Sequence, residues 1–248
     1  MSPDLALAHT LADAADEIAL SRFRARDLAV RTKADATPVT EADTAVEDAI
    51  RDVLARERPD DAVLGEEHGV SGAAARRWIV DPIDGTRNYS RGVPVWATLI
   101  ALEEDGELRL GVVSAPALGR RWWAERGTGA YADGDRVHVS AISRVEDAVL
   151  CFALEHPLPS LALQAWHARA YGDFWAHMLV AEGAADGAID AVGVSLWDLA
   201  AVQVIVEEAG GTFTDFGGER RADGGSAISS NGRLHEALLH AVEGMRPG

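Results

Sequence analysis

The chain has 248 residues, of which 48% are hydrophobic, so it can bury one large core or two closely joined lobes and is not a disordered or fibrous protein. Its formal net charge is −17, whereas a surface that binds nucleic-acid phosphates needs concentrated positive charge, so we expect no nucleic-acid partner. No stretch approaches the roughly 20 consecutive apolar residues of a membrane span. Met1 to Asp4 lacks the basic and apolar regions of a signal peptide, so we expect no membrane partner and a cytoplasmic location.

Helical spacing in the first third of the chain predicts two amphipathic helices. Apolar residues recur at this spacing from Leu7 to Ile18 and again from Val46 to Leu54, with a polar hinge from Lys33 to Pro38 between them. The short β-prone run Trp78-Ile79-Val80 then predicts a buried strand that stops at Asp81-Pro82. Two hairpins follow, one on each side of residue 118.

The second half of the chain alternates between strand and helix patterns. A strand is predicted near 149–152, helices begin near Leu161 and Asp173, and a strong helix runs from Asp198 to Ala209. Gly210-Gly211 after it is typical of a helix C-cap. This order of elements favours an α+β or layered α/β fold over an all-parallel barrel.

Carboxylates follow predicted strands at two points in the chain. Asp81-Pro82-Ile83-Asp84-Gly85-Thr86 places two carboxylates and a hydroxyl at a strand end, in a tight turn that Gly85 permits. Glu66-Glu67 follows Val63-Leu64 in the same way, and Asp198 stands at a predicted helix start. If these groups converge, their repulsion is costly unless a cation neutralises it. Oxygen ligands suit Mg²⁺, and no Cys/His cluster offers a zinc site.

Most of these acidic segments also have a structural interpretation. Asp198 alone could cap its helix, and Asp43 in Thr40-Glu41-Ala42-Asp43 resembles the last residue of a capping box. Glu66-Glu67 alone is usually a solvated acidic turn. The hexapeptide from Asp81 is harder to explain in this way, because a cap or turn needs one Asp and this segment has two around a Pro and a Gly.

Four segments together resemble the signature set of the inositol monophosphatase superfamily. In chain order they are Val39-Thr40-Glu41-Ala42-Asp43, Gly65-Glu66-Glu67, the hexapeptide from Asp81, and Trp197-Asp198-Leu199-Ala200-Ala201 through Gly210-Gly211. The resemblance implies an α+β fold, the layered αβαβα sandwich of the inositol monophosphatase and fructose-1,6-bisphosphatase type, assembled as a homodimer. It implies one catalytic unit over 1–248, with an N-terminal lobe of about 1–143 carrying most metal ligands and a C-terminal lobe of about 144–248.

The same resemblance assigns roles to individual residues. Two or three Mg²⁺ per subunit would be held by Glu66, Asp81, Asp84, Asp198 and the backbone carbonyl of Ile83. Such metals, about 3.5–4 Å apart, activate a water and stabilise the leaving oxygen. Asp43 and Thr86 match the pair that orients and deprotonates this water, and Glu66 is counted with them as catalytic. The substrate phosphate would meet Gly85 and Thr86 at a helix start, beside Asp84 and Asp198.

Three further positions are candidates for the site. Lys33 matches the superfamily's mobile lysine near the metals, although the interval from Lys33 to Asp43 is one residue shorter than in the superfamily. The alternative is that Lys33 is a free surface lysine. Glu67 adjoins the candidate ligand Glu66. Arg169 begins the segment 169–174, which is one of those used below to predict the substrate.

Two other classes compete with this interpretation. Haloacid-dehalogenase-type phosphatases use an aspartyl nucleophile in the pattern Asp-x-Asp-Gly-Thr, but here Pro82 and Ile83 both separate the carboxylates. That spacing, with Trp197-Asp198 downstream, favours attack by water over a covalent aspartyl phosphate. A family member that binds metal or a partner without turnover is the second alternative. It is opposed by the fact that every motif position needed for hydrolysis is filled.

The metal motif does not choose among the superfamily's substrates, which include inositol phosphate, fructose 1,6-bisphosphate, 3′-phosphoadenosine 5′-phosphate and histidinol phosphate. Segments 111–118, 120–124 and 169–174 resemble the histidinol-phosphate phosphatases of actinobacterial type. Their structural alternative is a strand, a hairpin and a helix start, with Trp as core filler.

One departure from the inositol enzymes favours the same substrate. Those enzymes hold sugar hydroxyls with a Glu seven residues before the aspartate that matches Asp198, and this chain has Ala191 there. A cationic amino alcohol needs a carboxylate instead, which Asp190 or Asp173 could supply. We therefore expect the small phosphorylated substrate to be L-histidinol phosphate, with inositol 1-phosphate as the alternative. Asp173 could instead be a helix N-cap.

Overall fold

The computed structural model describes residues 1–33, 37–153, 160–190 and 194–243. Its N-terminal region contains helices α1 (Pro3–Arg22) and α2 (Glu41–Glu57), with a small antiparallel hairpin of β1 (Val30–Thr32) and β2 (Pro38–Thr40) between them. Both helices match the two predicted from apolar spacing. The predicted hinge from Lys33 to Pro38 follows β1 and ends at the first residue of β2, and its residues 34–36 lie outside the described part.

The larger sheet has eight strands, which are β3 (Ala62–Gly65), β4 (Gly69–Ser71), β5 (Arg76–Asp84), β6 (Ala97–Glu104), β7 (Glu107–Ala115), β8 (Arg120–Glu125), β9 (Gly129–Ala132) and β10 (Asp135–Val137). Their order is β10-β9-β8-β7-β6-β5-β3-β4, and only the β3–β5 pair is parallel. The short helix α3 (Thr86–Ser90) follows β5 directly. Both predicted hairpins are present, as β6–β7 and β8–β9.

The smaller sheet has five strands in the order β12-β11-β13-β15-β14. They are β11 (Val149–Phe152), β12 (His167–Arg169), β13 (Gly187–Asp190), β14 (Thr212–Thr214) and β15 (Ala227–Ser230). Helices α4 (Asp173–Ala181) and α5 (Leu196–Glu208) lie between the two sheets, and α6 (His235–Ala241) packs on the outer face of the smaller one. None of the helices in the described ranges is long and apolar enough to cross a bilayer.

The layers therefore run helix, sheet, helix, sheet, helix, which is the predicted αβαβα arrangement. Separate apolar clusters fill the space between α1, α2 and the larger sheet, around α5, and beneath α6. Every residue of α5 from Leu199 to Val206 is buried, as expected for a helix covered on all sides. Gly111 allows this close packing, because a Cβ there would lie 2.5 Å from the carbonyl oxygen of Ala201.

Two predicted elements differ in the structure. The segment from Leu161 forms only a single 3₁₀ turn, Ser160–Leu163, because it leads directly into edge strand β12. Strand β5 does not stop at Asp81 but continues through Asp84, with an irregular register between these residues. The division into two lobes remains a prediction, although α5 of the second half packs against the larger sheet of the first.

Candidate active site

The irregularity in β5 places Asp81 and Asp84 together. Residues three apart on a regular strand point to opposite faces of the sheet. Asp81 pairs with Leu99 and Asp84 pairs with Ala97. A step of three residues along β5 therefore matches a step of only two residues along β6. This extra residue is a bulge, and it turns both carboxylates towards one side.

Helix α5 brings a third carboxylate to the same point. One carboxylate oxygen from each of Asp81, Asp84 and Asp198 lies within 4.8 Å of the others. Asp198 is in the first turn of α5, where it accepts the N–H of Ser195, and Asp84 Oδ2 accepts the N–H of Phe174 at 2.6 Å. Three of the four carboxylates expected to converge, all except Glu66, therefore meet within this distance in the described part of the chain.

The electrostatics of this cluster fit a divalent cation. Burial, followed by the charges of Glu66, Asp84 and Asp198, raises the pKa of Asp81 well above its usual range. Burial and neighbouring carboxylates do the same to the pKa of Asp84, and burial raises the pKa of Asp198 to about 7. Asp81 Oδ1 is buried and has no hydrogen-bond partner. A hard cation with oxygen ligands would pair that atom and relieve the repulsion.

Glu66 lies in the three-residue loop between β3 and β4. Its N–H donates to the carbonyl of Val80 at 3.2 Å, immediately before Asp81, and its charge raises the pKa of Asp81 and of Asp198. Lys33 Nζ donates to Glu66 Oε1 at 2.7 Å and to Glu67 Oε1 at 2.6 Å. The alternative of a free surface lysine is therefore wrong for Lys33. Partial burial lowers its pKa, but the bonds to the two glutamates outweigh this and raise it.

Thr86 connects Asp43 to the end of β5. Its hydroxyl lies 3.1 Å from Asp43 Oδ1 and 2.9 Å from the carbonyl oxygen of Ile83. The other oxygen, Asp43 Oδ2, accepts the N–H of Thr40 at 2.8 Å and its hydroxyl at 2.6 Å. Asp43 therefore completes a capping box with one oxygen and faces Thr86 with the other. Gly85, which precedes Thr86, has the left-handed φ of +82° that the predicted turn requires.

Two of the predicted substrate carboxylates border the cluster. Asp190 ends β13, and its charge raises the pKa of Asp84 and Asp198. Asp173 also raises the pKa of Asp84, and its Oδ2 lies 3.5 Å from where a Cβ on Gly85 would be. Gly172, not Asp173, is the N-cap residue of α4, so the N-cap alternative for Asp173 is wrong.

Other predicted substrate features lie elsewhere or outside the described residues. Arg169 is exposed on edge strand β12, two strand positions from β13. Ala191 lies outside the described residues. In segment 120–124, Trp122 is buried and its indole N–H donates to Glu182, while Arg121 pairs with Asp16 at 2.7 Å. Trp122 therefore fills the core, as the structural alternative expected, and this role is compatible with the resemblance of the segment to histidinol-phosphate phosphatases.

Sequence reasoning missed Glu47, which is fully buried on α2. Its carboxylate accepts the N–H of Glu67 at 2.7 Å and that of His68 at 3.2 Å. The available signal was its spacing of four residues from Asp43, which places both on one face of the helix. His177 was missed as well. Its Nε2 is buried without a hydrogen-bond partner and lies 3.6 Å from Asp190 Oδ2.

Comparison with known proteins agrees with this geometry. The sequence-family model that describes the inositol monophosphatase family matches residues 1–246 of this chain. The histidinol-phosphatase of Streptomyces coelicolor is 52% identical over 95% of both chains, and the inositol-1-monophosphatase of Mesorhizobium japonicum is 34% identical over 88% of this chain and 87% of that one. The solved IMPase of Thermotoga maritima superposes with a TM-score of 0.90 at 30% identity, covering 98% of each chain. The chain thus belongs to the inositol monophosphatase family.

Proposed function

We infer that this protein is a Mg²⁺-dependent phosphomonoesterase that hydrolyses L-histidinol phosphate to L-histidinol and phosphate, a step of histidine biosynthesis. The hydrolytic activity is supported by the cluster of the buried Asp81 and Asp84 with the half-buried Asp198, in which Asp84 is two residues from the Thr86 that pairs with Asp43. Similarity supports the substrate, because the named histidinol-phosphatase is much closer to this chain than the named inositol-1-monophosphatase.

The metals would be held by residues of β5, α5 and the β3–β4 loop. Two or three Mg²⁺ would take Asp81, Asp84, Asp198, Glu66 and the Ile83 carbonyl as ligands. When bound, Mg²⁺ stabilises negative charge on the phosphate and the leaving oxygen and lowers the pKa of a coordinated water. By holding the cations, these ligands would also position the phosphate, and Gly85 and Thr86 would contact it from the turn after β5.

Asp43 and Thr86 would handle the proton of the attacking water. The Thr86 hydroxyl can accept a hydrogen bond from this water while it donates its own proton to Asp43 Oδ1, 3.1 Å away. Burial raises the pKa of Asp43, which makes it a stronger base than an exposed aspartate. Its capping contacts to Thr40 hold the carboxylate in this orientation.

The substrate's amino alcohol would be recognised by carboxylates at the rim of the cluster. Histidinol carries an ammonium group and an imidazole, which form charge-assisted hydrogen bonds with carboxylates. Asp190 and Asp173 supply this charge next to Asp84. Inositol has no cationic group to return such a bond, so it gains less from this pocket.

Histidinol phosphate should be preferred over inositol 1-phosphate by at least about tenfold in kcat/KM, or roughly 1.4 kcal/mol. The measurement is phosphate release by the purified protein from these two substrates and from fructose 1,6-bisphosphate and 3′-phosphoadenosine 5′-phosphate. Equal rates on inositol 1-phosphate and histidinol phosphate would contradict the proposed substrate preference. The protein would then be a phosphatase without this preference.

Asp190→Asn or Asp173→Asn should raise KM for histidinol phosphate severalfold, because each removes one charge facing the substrate's cation. Hydrolysis of a simple aryl phosphate, which lacks that cation, should be nearly unchanged and serves as the internal control. Melting curves of both variants separate lost affinity from lost stability. If neither substitution changes selectivity, the proposed carboxylate contact is wrong.

We also propose that the protein forms a homodimer. Leu163, Trp166 and Tyr171 are 89%, 70% and 41% exposed. They lie close together in the sequence around edge strand β12. These exposed apolar side chains support the proposal, because apolar surface left exposed as a contiguous patch marks protein–protein interfaces.

A further inference from the structure

Helix α2 holds the loop that carries Glu66 through two charged side chains. Glu47 Oε2 accepts the N–H of Glu67 at 2.7 Å, and Oε1 accepts the N–H of His68 at 3.2 Å. Arg51, one turn further along α2, donates to Glu47 Oε1 at 2.7 Å and to the carbonyl of Gly69 at 2.6 Å. Two N–H groups of the loop and the carbonyl of Gly69, the first residue of β4, are therefore bound to the helix.

The strand before the loop is shaped around the Glu47 carboxylate. A Cβ on Gly65 would lie 2.0 Å from Glu47 Oε1 and 2.6 Å from Oε2, so only glycine allows this contact. Gly65 does not have a left-handed φ, so conformational freedom does not explain this glycine. The space it leaves is filled by the carboxylate of a neighbouring helix.

Burying a carboxylate is unfavourable unless it is paired and hydrogen-bonded. Glu47 is fully buried, and its contacts are Arg51 and the two amides of the loop. The Arg51 pair offsets the charge. The amide contacts fix the backbone on either side of the Glu67 side chain, and therefore the direction of the adjacent Glu66 side chain.

We propose that Glu47 is a positioning residue for the metal site, which holds Glu66 in place by way of the Glu67 and His68 amides. This inference rests on the proposed function, since Glu66 is a metal ligand there. Partners of this kind behind metal ligands commonly change metal affinity by about 10–100-fold. Because Asp43 lies one turn before Glu47, a single helix face would orient both the water-handling pair and Glu66.

The test is Mn²⁺ binding to the full chain, measured by electron paramagnetic resonance of the free ion. Glu47→Gln keeps the shape of the side chain but turns one acceptor oxygen into an NH₂ group that faces a backbone N–H. We expect the Kd for Mn²⁺ to rise about tenfold. At saturating Mg²⁺, kcat should recover to within about threefold and KM for histidinol phosphate should stay unchanged, because the substrate does not touch Glu47.

Asp48→Asn is the matched control. Asp48 is the next residue on α2 and also faces His68, but through the exposed side chain, with Oδ1 2.8 Å from His68 Nε2. This variant loses the same charge without touching the loop amides, so its Kd for Mn²⁺ should stay within about twofold of wild type.

Gly65→Ala tests the same contact with Glu47 and Arg51 intact, so it remains informative if Glu47→Gln does not fold. Its methyl group must displace the carboxylate, and we expect a similar loss of Mn²⁺ affinity. In the Glu47→Ala background the same methyl has space, so Gly65→Ala should then add little. Folded Glu47→Gln or Gly65→Ala protein with wild-type Mn²⁺ affinity would overturn the inference. Wild-type protein that fails to bind Mn²⁺ would overturn the proposed metal site itself.

Discussion

Asp84→Asn or Asp198→Asn should reduce Mg²⁺-dependent hydrolysis of histidinol phosphate by at least about a thousandfold in kcat/KM, which corresponds to about 4 kcal/mol. Both residues contribute an oxygen to the cluster that spans 4.8 Å. A neutral amide is a weaker ligand for a divalent cation than a carboxylate. The measurement is the initial rate of phosphate release over a range of Mg²⁺ concentrations.

The fold should survive these substitutions, and the metal-free variants should be at least as stable as wild type. Burial and mutual repulsion raise the pKa of Asp84, and burial raises that of Asp198 from 3.8 to about 7. A carboxyl with a raised pKa binds more protons folded than unfolded, so the metal-free protein loses stability as pH rises from 3.8 towards 7. Asp84→Asn removes one of these carboxyl groups, so the metal-free variant should lose less stability as pH rises. A much lower Tm for metal-free Asp84→Asn at pH 8 would contradict this account.

Thr86→Ala and Asp43→Asn should each lower kcat by about two orders of magnitude while KM changes little. The reason is that Thr86 Oγ1 and Asp43 Oδ1, 3.1 Å apart, act on the proton of the water in the transition state rather than on the bound substrate. Steady-state kinetics at saturating Mg²⁺ measure both constants. Asp43→Asn with nearly normal kcat would return Asp43 to a purely capping role.

Thr40→Ala provides the matched control for that capping role. Thr40 Oγ1 donates to Asp43 Oδ2 at 2.6 Å and accepts the N–H of Ala42 at 3.1 Å, but the substitution leaves the Asp43–Thr86 contact intact. We expect it to cost about 1 kcal/mol of stability, as loss of an N-cap does. Its kcat should fall far less than that of Asp43→Asn.

The mixed order of helices and strands and the candidate carboxylates were predicted from local sequence patterns, whereas the αβαβα layering and the full ligand set were implied by the resemblance to a known family. Apolar spacing defines α1 and α2, and the Asp81 hexapeptide follows a recognisable buried strand. The choice between capping and chemistry for Asp43 was not decidable in this way. One oxygen of this carboxylate contacts Thr40 and the other contacts Thr86, and a sequence does not assign individual oxygens.

The features that sequence reasoning missed depend on contacts between distant segments. The bulge that aligns Asp81 with Asp84 is set by register against β6, which begins 13 residues later. The spacing of Glu47 from Asp43 places both on one helix face, but only the hydrogen bond from the N–H of Glu67 distinguishes Glu47 from a solvated helix glutamate. Lys33 was ambiguous for the same reason, since its partners lie more than 30 residues away.

Phosphate release from L-histidinol phosphate by chelator-treated wild-type protein, before and after Mg²⁺ is added, tests the central claim most directly. The buried, unpartnered Asp81 Oδ1 and the raised pKa values around it indicate a site built for a cation. We therefore predict no turnover without metal and full recovery with Mg²⁺. Undiminished turnover in rigorously metal-free buffer would contradict the claim that hydrolysis depends on Mg²⁺. Failure to release phosphate from this substrate with Mg²⁺ present would contradict the proposed activity.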